Sequence, residues 1–173
     1  MKSLGWIAFA LLYHRPGLYC TVAAVQEHRL QGISASTAMR SPGSTPRSRW
    51  STCFMTGCRG QRALVADMRT LSLAELFHGI LAWDSFFHLN QNDQRRMFST
   101  FRAHAAPRAA LMFTSGPSPG EAIGCLGGEP LYHASLDADE YRKLLQDQGF
   151  AVVATASEDQ TCGGRTVWLA QLR

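Results

Sequence analysis

Acidic side chains are scarce in the first third of this 173-residue sequence: residues 1–60 hold Glu27 alone, against seven Lys and Arg. Residues 61–173 hold ten basic and twelve acidic side chains, so the formal charge of +4 originates in the N-terminal third. Its arginines, at 15, 29, 40, 47, 49 and 59, are scattered with no aromatic interleaving and no shared helical face. A nucleic-acid surface is therefore not expected. The five cysteines include no second pair and no His couple at finger spacing to accompany Cys53 and Cys58, so no metal site is expected and reduced thiols are the default. Long apolar runs are also missing. Leu4 to Tyr13, LGWIAFALLY, is too short to span a bilayer as a helix, and HRPGLYC follows where a signal peptide would carry small residues. It reads as a buried helix or strand of a cytoplasmic protein with no membrane partner. No GxGxxG follows a predicted strand, which disfavours a nicotinamide-binding Rossmann enzyme.

What is present is a globular composition, 46% hydrophobic and 17% charged. Residues 40–60 are rich in Arg, Ser, Thr, Pro and Gly and have no periodicity, which predicts a connector. From Gln61 the pattern becomes regular. ALVAD, Ala63 to Asp67, reads as a buried strand ending in a carboxylate, and FHGILAW, Phe77 to Trp83, as another. Asn90 to His104 reads as a helix capped by Asn92 or Asp93, with Met97, Phe98 and Phe101 on one face and Pro107 beyond its end. AALMFT, Ala109 to Thr114, is a third strand, followed by the Gly/Pro-rich SGPSPGEAIGCLGGEP, a composition used in active-site lids. Asp137 with Glu140 predicts a capped helix that stops at Gly149. FAVVAT, Phe150 to Thr155, and TVWLAQL, Thr166 to Leu172, with no helix between them, predict an antiparallel hairpin. The short run ILAWDSFFHL, Ile80 to Leu89, stops at polar groups in the way open α/β sheets present side chains to a ligand.

The ordered set VADMRTLSL, ILAWDSFFHL, MFTSGP, GEPLYHASLD and CGGRTVWLA resembles class I S-adenosylmethionine-dependent methyltransferases of a bacterial small-molecule type over Leu64 to Ala170. HRLQGISASTAM, His28 to Met39, resembles the family's second strand and the turn after it. The resemblance implies an α/β fold: a Rossmann-like, mostly parallel sheet with a C-terminal antiparallel hairpin strand. It also implies S-adenosyl-L-methionine as cofactor and a small-molecule acceptor. By the same resemblance, Asp67 takes the adenine amine, Met68 packs on the ring, and Trp83 and Asp84 lie by the methionine portion. Ser34 stands where the family has the acid that holds the ribose. His88, four residues after Asp84, faces the same side if the segment is helical and is then a candidate base beside Asp84. Tyr132 and His133 are candidate substrate contacts.

The first part departs from the family. The region matching the glycine-rich cofactor loop, Leu11 to Cys20, holds only Gly17. Residues 1–60 therefore read as a degraded or irregular N-terminal half of the cofactor-binding region, with its composition resembling a GC-rich coding region read out of frame, and 61–173 as the methyltransferase-like core. Two functions follow: methyl transfer to a small molecule, or a catalytically inactive remnant serving as a binding or dimerisation module.

Overall fold

The computed structural model describes residues 6–13, 19–26, 62–126 and 129–173. The segments matched to the family's second strand and to the connector, including Ser34, lie outside the described residues. Seven strands form one sheet: β1 (Trp6–Tyr13), β2 (Tyr19–Gln26), β3 (Arg62–Ala66), β4 (Phe77–Ala82), β5 (Ala105–Ser115), β8 (Phe150–Asp159) and β9 (Arg165–Leu172). Their spatial order is β3-β1-β2-β4-β5-β9-β8. A separate two-stranded sheet pairs β6 (Gly120–Leu126) with β7 (Glu129–Ser135). Two helices are described, α1 (Gln91–His104) and α2 (Ala138–Asp147).

β4 pairs in parallel with both β2 and β5, while β9 runs antiparallel to β5 and β8. Five of the seven strands thus share one direction, and β8–β9 is the expected hairpin. β1 is the second strand that runs against the rest, antiparallel to both β2 and β3. Tyr13 lies opposite Tyr19, so β1 ends and β2 begins at the edge where β4 begins. β3 and β4 end at the other edge. Tyr13 and Tyr19, described residues of the segment matched to the glycine-rich loop, therefore lie across the sheet from Asp67 and Asp84. A strand that runs antiparallel to its neighbours cannot deliver its C-terminal end to the edge reached by the parallel strands.

Local rules account for the helices. Asn90, not Asn92 or Asp93, caps α1: its side-chain oxygen accepts from the Asp93 N–H at 2.9 Å. Gln94, Met97, Phe98, Phe101 and His104 recur at helical spacing and are buried. Asp137 caps α2 by accepting from the Asp139 N–H at 2.8 Å. Glu140 does not reach back to complete a capping box, because Arg95 of α1 takes its carboxylate through two contacts of 2.6 and 3.2 Å. At Gly149 the chain turns through φ 80°, a left-handed conformation that glycine adopts without a steric penalty, and β8 begins.

The core lies where both helices meet the sheet. Leu111 and Phe113 of β5 and Trp168, Ala170 and Leu172 of β9 alternate inward, as strand geometry requires. Phe86 contacts Phe98, Phe101, Phe113 and Tyr141 edge-on, and Phe113 stacks on Trp168 at 5.7 Å between centroids. Near the start of β5, Pro107 and Arg108 (φ 62°) occupy a bulge: two residues of β4 advance against five of β5. Proline is tolerated there because the ladder is already interrupted.

Candidate functional site

The strand ends at one edge of the sheet carry most of the residues singled out in the sequence. Asp67 follows β3 and caps the 3-10 turn Met68–Thr70. Both of its oxygens are held by Arg69, with Nε at 3.0 and 3.1 Å and Nη2 at 2.6 Å. This fork holds the Asp67 carboxyl below its ordinary range, the side-chain hydrogen bond being the main cause. Arg69 also reaches Asp93 at the start of α1, 3.5 Å away, which ties the turn to the helix. The Met68 side chain is buried in the core.

Asp84, at the end of β4, is also matched with an arginine. Its Oδ1 lies 2.5 Å from Nε of Arg165, the first residue of β9. The Asp84 backbone has φ 45°, and its N–H donates to Thr114 Oγ1 at 2.9 Å. A left-handed non-glycine residue carries strain of about 1–3 kcal/mol, toward the lower end for Asp. Next to it, Ser85 is completely buried and its hydroxyl has no hydrogen-bond partner, a further cost of about 1–3 kcal/mol. Two unfavourable features therefore adjoin in the WDS run. Trp83 is half-buried at the same strand end.

Asp67 and Asp84 share the edge without being neighbours. β1 and β2 separate their strands, so three inter-strand spacings, about 14 Å, divide them. Asp84 and His88 do not share a helix either: the 3-10 turn covers only Phe86–His88, and Asp84 precedes it in the left-handed conformation.

His88 is buried, and its Nδ1 lies 3.0 Å from the Tyr132 carbonyl on β7. A carbonyl only accepts, so Nδ1 carries the proton and the basic lone pair belongs to Nε2. Burial, reinforced by the nearby His133 and Arg165, pushes the His88 imidazole down to about 4, against a smaller opposing effect of the Tyr132 carbonyl. The His133 ring centroid is 4.9 Å from that of His88, and the His133 pKa is lowered too, first by burial and then by Arg165. Tyr132 thus contributes its carbonyl; its phenol is pushed up to about 12 by burial and by the Glu121 carboxylate.

The Gly/Pro-rich stretch read as a lid is the β6–β7 hairpin and the turn leading into it. It stands over a pocket of about 450 Å³ whose walls include Phe87, Pro117, Pro119, Ala122, His133 and Arg165. The pocket rim is pinned at Gly116, whose N–H donates to Ser135 Oγ at 2.7 Å, and Ser115 Oγ accepts from Trp168 Nε1 at 3.1 Å. Arg165 is the functional candidate that sequence reasoning missed. It was visible only as the last letter of CGGR, and nothing local marks it as the partner of a residue 81 positions earlier. Among the described residues, no helix is long and apolar enough to cross a membrane.

A twisted sheet of mainly one strand direction, with its polar groups gathered at the strand ends, defines a Rossmann-like α/β protein. Among solved structures, the chain is similar to an S-adenosylmethionine-dependent methyltransferase from Clostridium acetobutylicum ATCC 824, with a TM-score of 0.56 and 12% identity over 73% of this chain and 71% of that one. It is also similar to magnesium protoporphyrin IX methyltransferase from Synechocystis PCC 6803 with bound SAM, with a TM-score of 0.51 and 15% identity over 74% of this chain and 53% of that one. The glycopeptide N-methyltransferase MtfA aligns with a TM-score of 0.48 and 17% identity, and this chain spans 63% of its length. No family model and no curated protein matches the chain. The fold is that of class I methyltransferases.

Proposed function

We propose that the protein binds S-adenosyl-L-methionine and transfers its methyl group to a small-molecule acceptor. The observation that carries this reading is the strained Asp84 beside the orphaned Ser85 hydroxyl, at the strand end next to the 450 Å³ pocket. Stability is given up there, as happens where a backbone is held for binding. The described residues fit the cofactor: Asp67 and Asp84 are partly exposed carboxylates on one edge, suited to a ligand with an amine at each end. The cofactor supplies an already activated methyl donor, so the protein's task is to bind, orient and exclude water. Asp67 would hold the adenine amine and Asp84 the ammonium of the methionine portion. The β6–β7 hairpin shields the acceptor side. His88, neutral at physiological pH and oriented by the Tyr132 carbonyl, is a weak base, adequate where little proton transfer is required.

The antiparallel β1 favours a second reading, a remnant that retains the acceptor pocket and has lost the cofactor, because β1 ends at the far edge from Asp67 and Asp84. Calorimetric titration with S-adenosylhomocysteine separates the two. Binding weakened at least tenfold in Asp67→Asn and in Asp84→Asn supports the first; no heat at millimolar ligand establishes the second.

A further inference from the structure

We infer that Arg165 is the specificity-determining residue of the pocket and selects a small organic acid, whose carboxylate takes the place on the guanidinium that Asp84 holds in the free protein. The carboxylate-bearing ligand is read from the contact itself. Arg165 Nε is bound to Asp84 Oδ1 at 2.5 Å, so the protein already presents to this guanidinium the chemistry it would recognise in a ligand. Arg165 also lines the cavity, where Phe87, Pro117, Pro119 and Ala122 offer an apolar surface for the body of the acid.

The surroundings aim the side chain. Its Nη1 donates to the Cys162 carbonyl at 2.7 Å, which pins one arm of the fork. A Cβ at Gly163 would collide with the same Nη1, and Gly163 has φ 70°, so the glycine leaves the space that the guanidinium fills. Both Asp84 and Arg165 keep about a third of their side-chain surface exposed, so the pair can open to a competitor without unfolding the strand ends. Two other ionisable groups face the cavity: Glu121, which is turned to the Tyr132 phenol, and His133, which burial and Arg165 hold toward its neutral form. Arg165 is thus the one pocket-lining cation among the described residues.

A consequence rests on the proposed methyltransferase reading. If the cofactor's ammonium occupies Asp84, it releases Arg165, and cofactor and acid then bind with positive cooperativity, which must be reciprocal.

The test is calorimetric titration of the full chain with benzoate, phenyl phosphate and benzylamine, in wild type, Asp84→Asn, Arg165→Gln and Arg165→Lys, each checked for an intact thermal transition. Benzoate is expected to bind about fivefold more tightly to Asp84→Asn than to wild type, since a partly exposed pair no longer competes. Arg165→Gln should abolish the binding, and Arg165→Lys should restore it only in part. Benzoate affinity unchanged by either Arg165 substitution, or benzylamine bound as tightly as benzoate, overturns the proposal. Phenyl phosphate bound more tightly than benzoate overturns the choice of a carboxylate. Saturating S-adenosylhomocysteine should tighten benzoate binding to wild type by a factor similar to that of Asp84→Asn. Arg165-dependent benzoate binding without any binding of S-adenosylhomocysteine sinks the methyltransferase reading and leaves the acid pocket standing. Binding of S-adenosylhomocysteine without Arg165-dependent benzoate binding does the reverse.

Discussion

The Tyr141 hydroxyl donates to Oε1 of Gln94 across 2.7 Å, where α1 and α2 meet the end of β7. The same hydroxyl accepts from the Leu136 N–H at 3.0 Å, and Gln94 Nε2 donates to the carbonyls of Leu89 and Ala134 at 2.9 and 2.8 Å. This buried network uses the donors and acceptor of one glutamine to hold the hairpin that covers the pocket against both helices. Burial pushes the Tyr141 phenol up to about 12, so it remains a donor at physiological pH.

Gln94→Leu leaves the Leu89 and Ala134 carbonyls and the Tyr141 hydroxyl without this partner. The expected cost is about 3 kcal/mol, against about 1 kcal/mol for Tyr141→Phe. Urea unfolding should show the lower midpoint with an unchanged slope. A double variant less destabilised than the sum of the two singles would establish that they act as one network.

His88 makes stability depend on pH. Its folded value of about 4 lies below the ordinary imidazole value of 6.5, so between these the unfolded chain binds the extra proton. The stability contribution is complete above pH 6.5 and is lost as pH falls toward 4. The gap corresponds to about 3 kcal/mol. Unfolding midpoints followed from pH 7 to 4 should fall steeply in wild type and less in His88→Gln. The His88 ring resonances should show no titration above pH 5.

Asp67 and Arg69 separate stability from binding. The pair is partly exposed, so Arg69→Ala should cost less than about 1 kcal/mol, and Asp67→Ala about 1 kcal/mol through the lost cap. Under the proposed function, Arg69→Ala frees a carboxylate for the adenine amine and should tighten binding of S-adenosylhomocysteine, whereas Asp67→Asn should weaken it. Calorimetry in which the two substitutions shift affinity in the same direction would remove Asp67 from the cofactor site.

Gly116→Ala tests the pocket rim. A Cβ there would stand 2.7 Å from Ser135 Oγ, the atom that accepts the Gly116 N–H. Displacing that hydroxyl should cost about 1–3 kcal/mol. Ser135→Ala should relieve the clash, so the double variant is expected to be more stable than Gly116→Ala alone in thermal unfolding.

Much of the C-terminal architecture was legible in the residues. The stripe Met97, Phe98 and Phe101 and the cap at Asp137 act within a single turn, so reading them needs no knowledge of distant chain, whereas the cap of α1 falls on Asn90 and not on the expected Asn92 or Asp93. The β8–β9 hairpin was legible for the same reason. The lid stretch was legible only as a composition used in active-site lids, and its strands were not: Gly120–Leu126 and Glu129–Ser135 complete each other's backbone hydrogen bonds as a ladder. The candidate site was legible as strand ends and opaque as contacts. Asp67 and Asp84 could be marked as carboxylates closing apolar runs, but the arginine each one holds could not be read from that pattern.

The sequence alone determined the helices, most of the strands and the polar residues that close β3 and β4, because periodicity, capping and turn chemistry operate over a few residues. Only the tertiary structure decided that β1 runs backward between β2 and β3, that Arg165 crosses to Asp84, and that His88 packs against His133 under the hairpin. Those outcomes depend on which strand ends reach the same edge of the sheet. Pairing and burial across long chain separations settle that, and they leave no local signature.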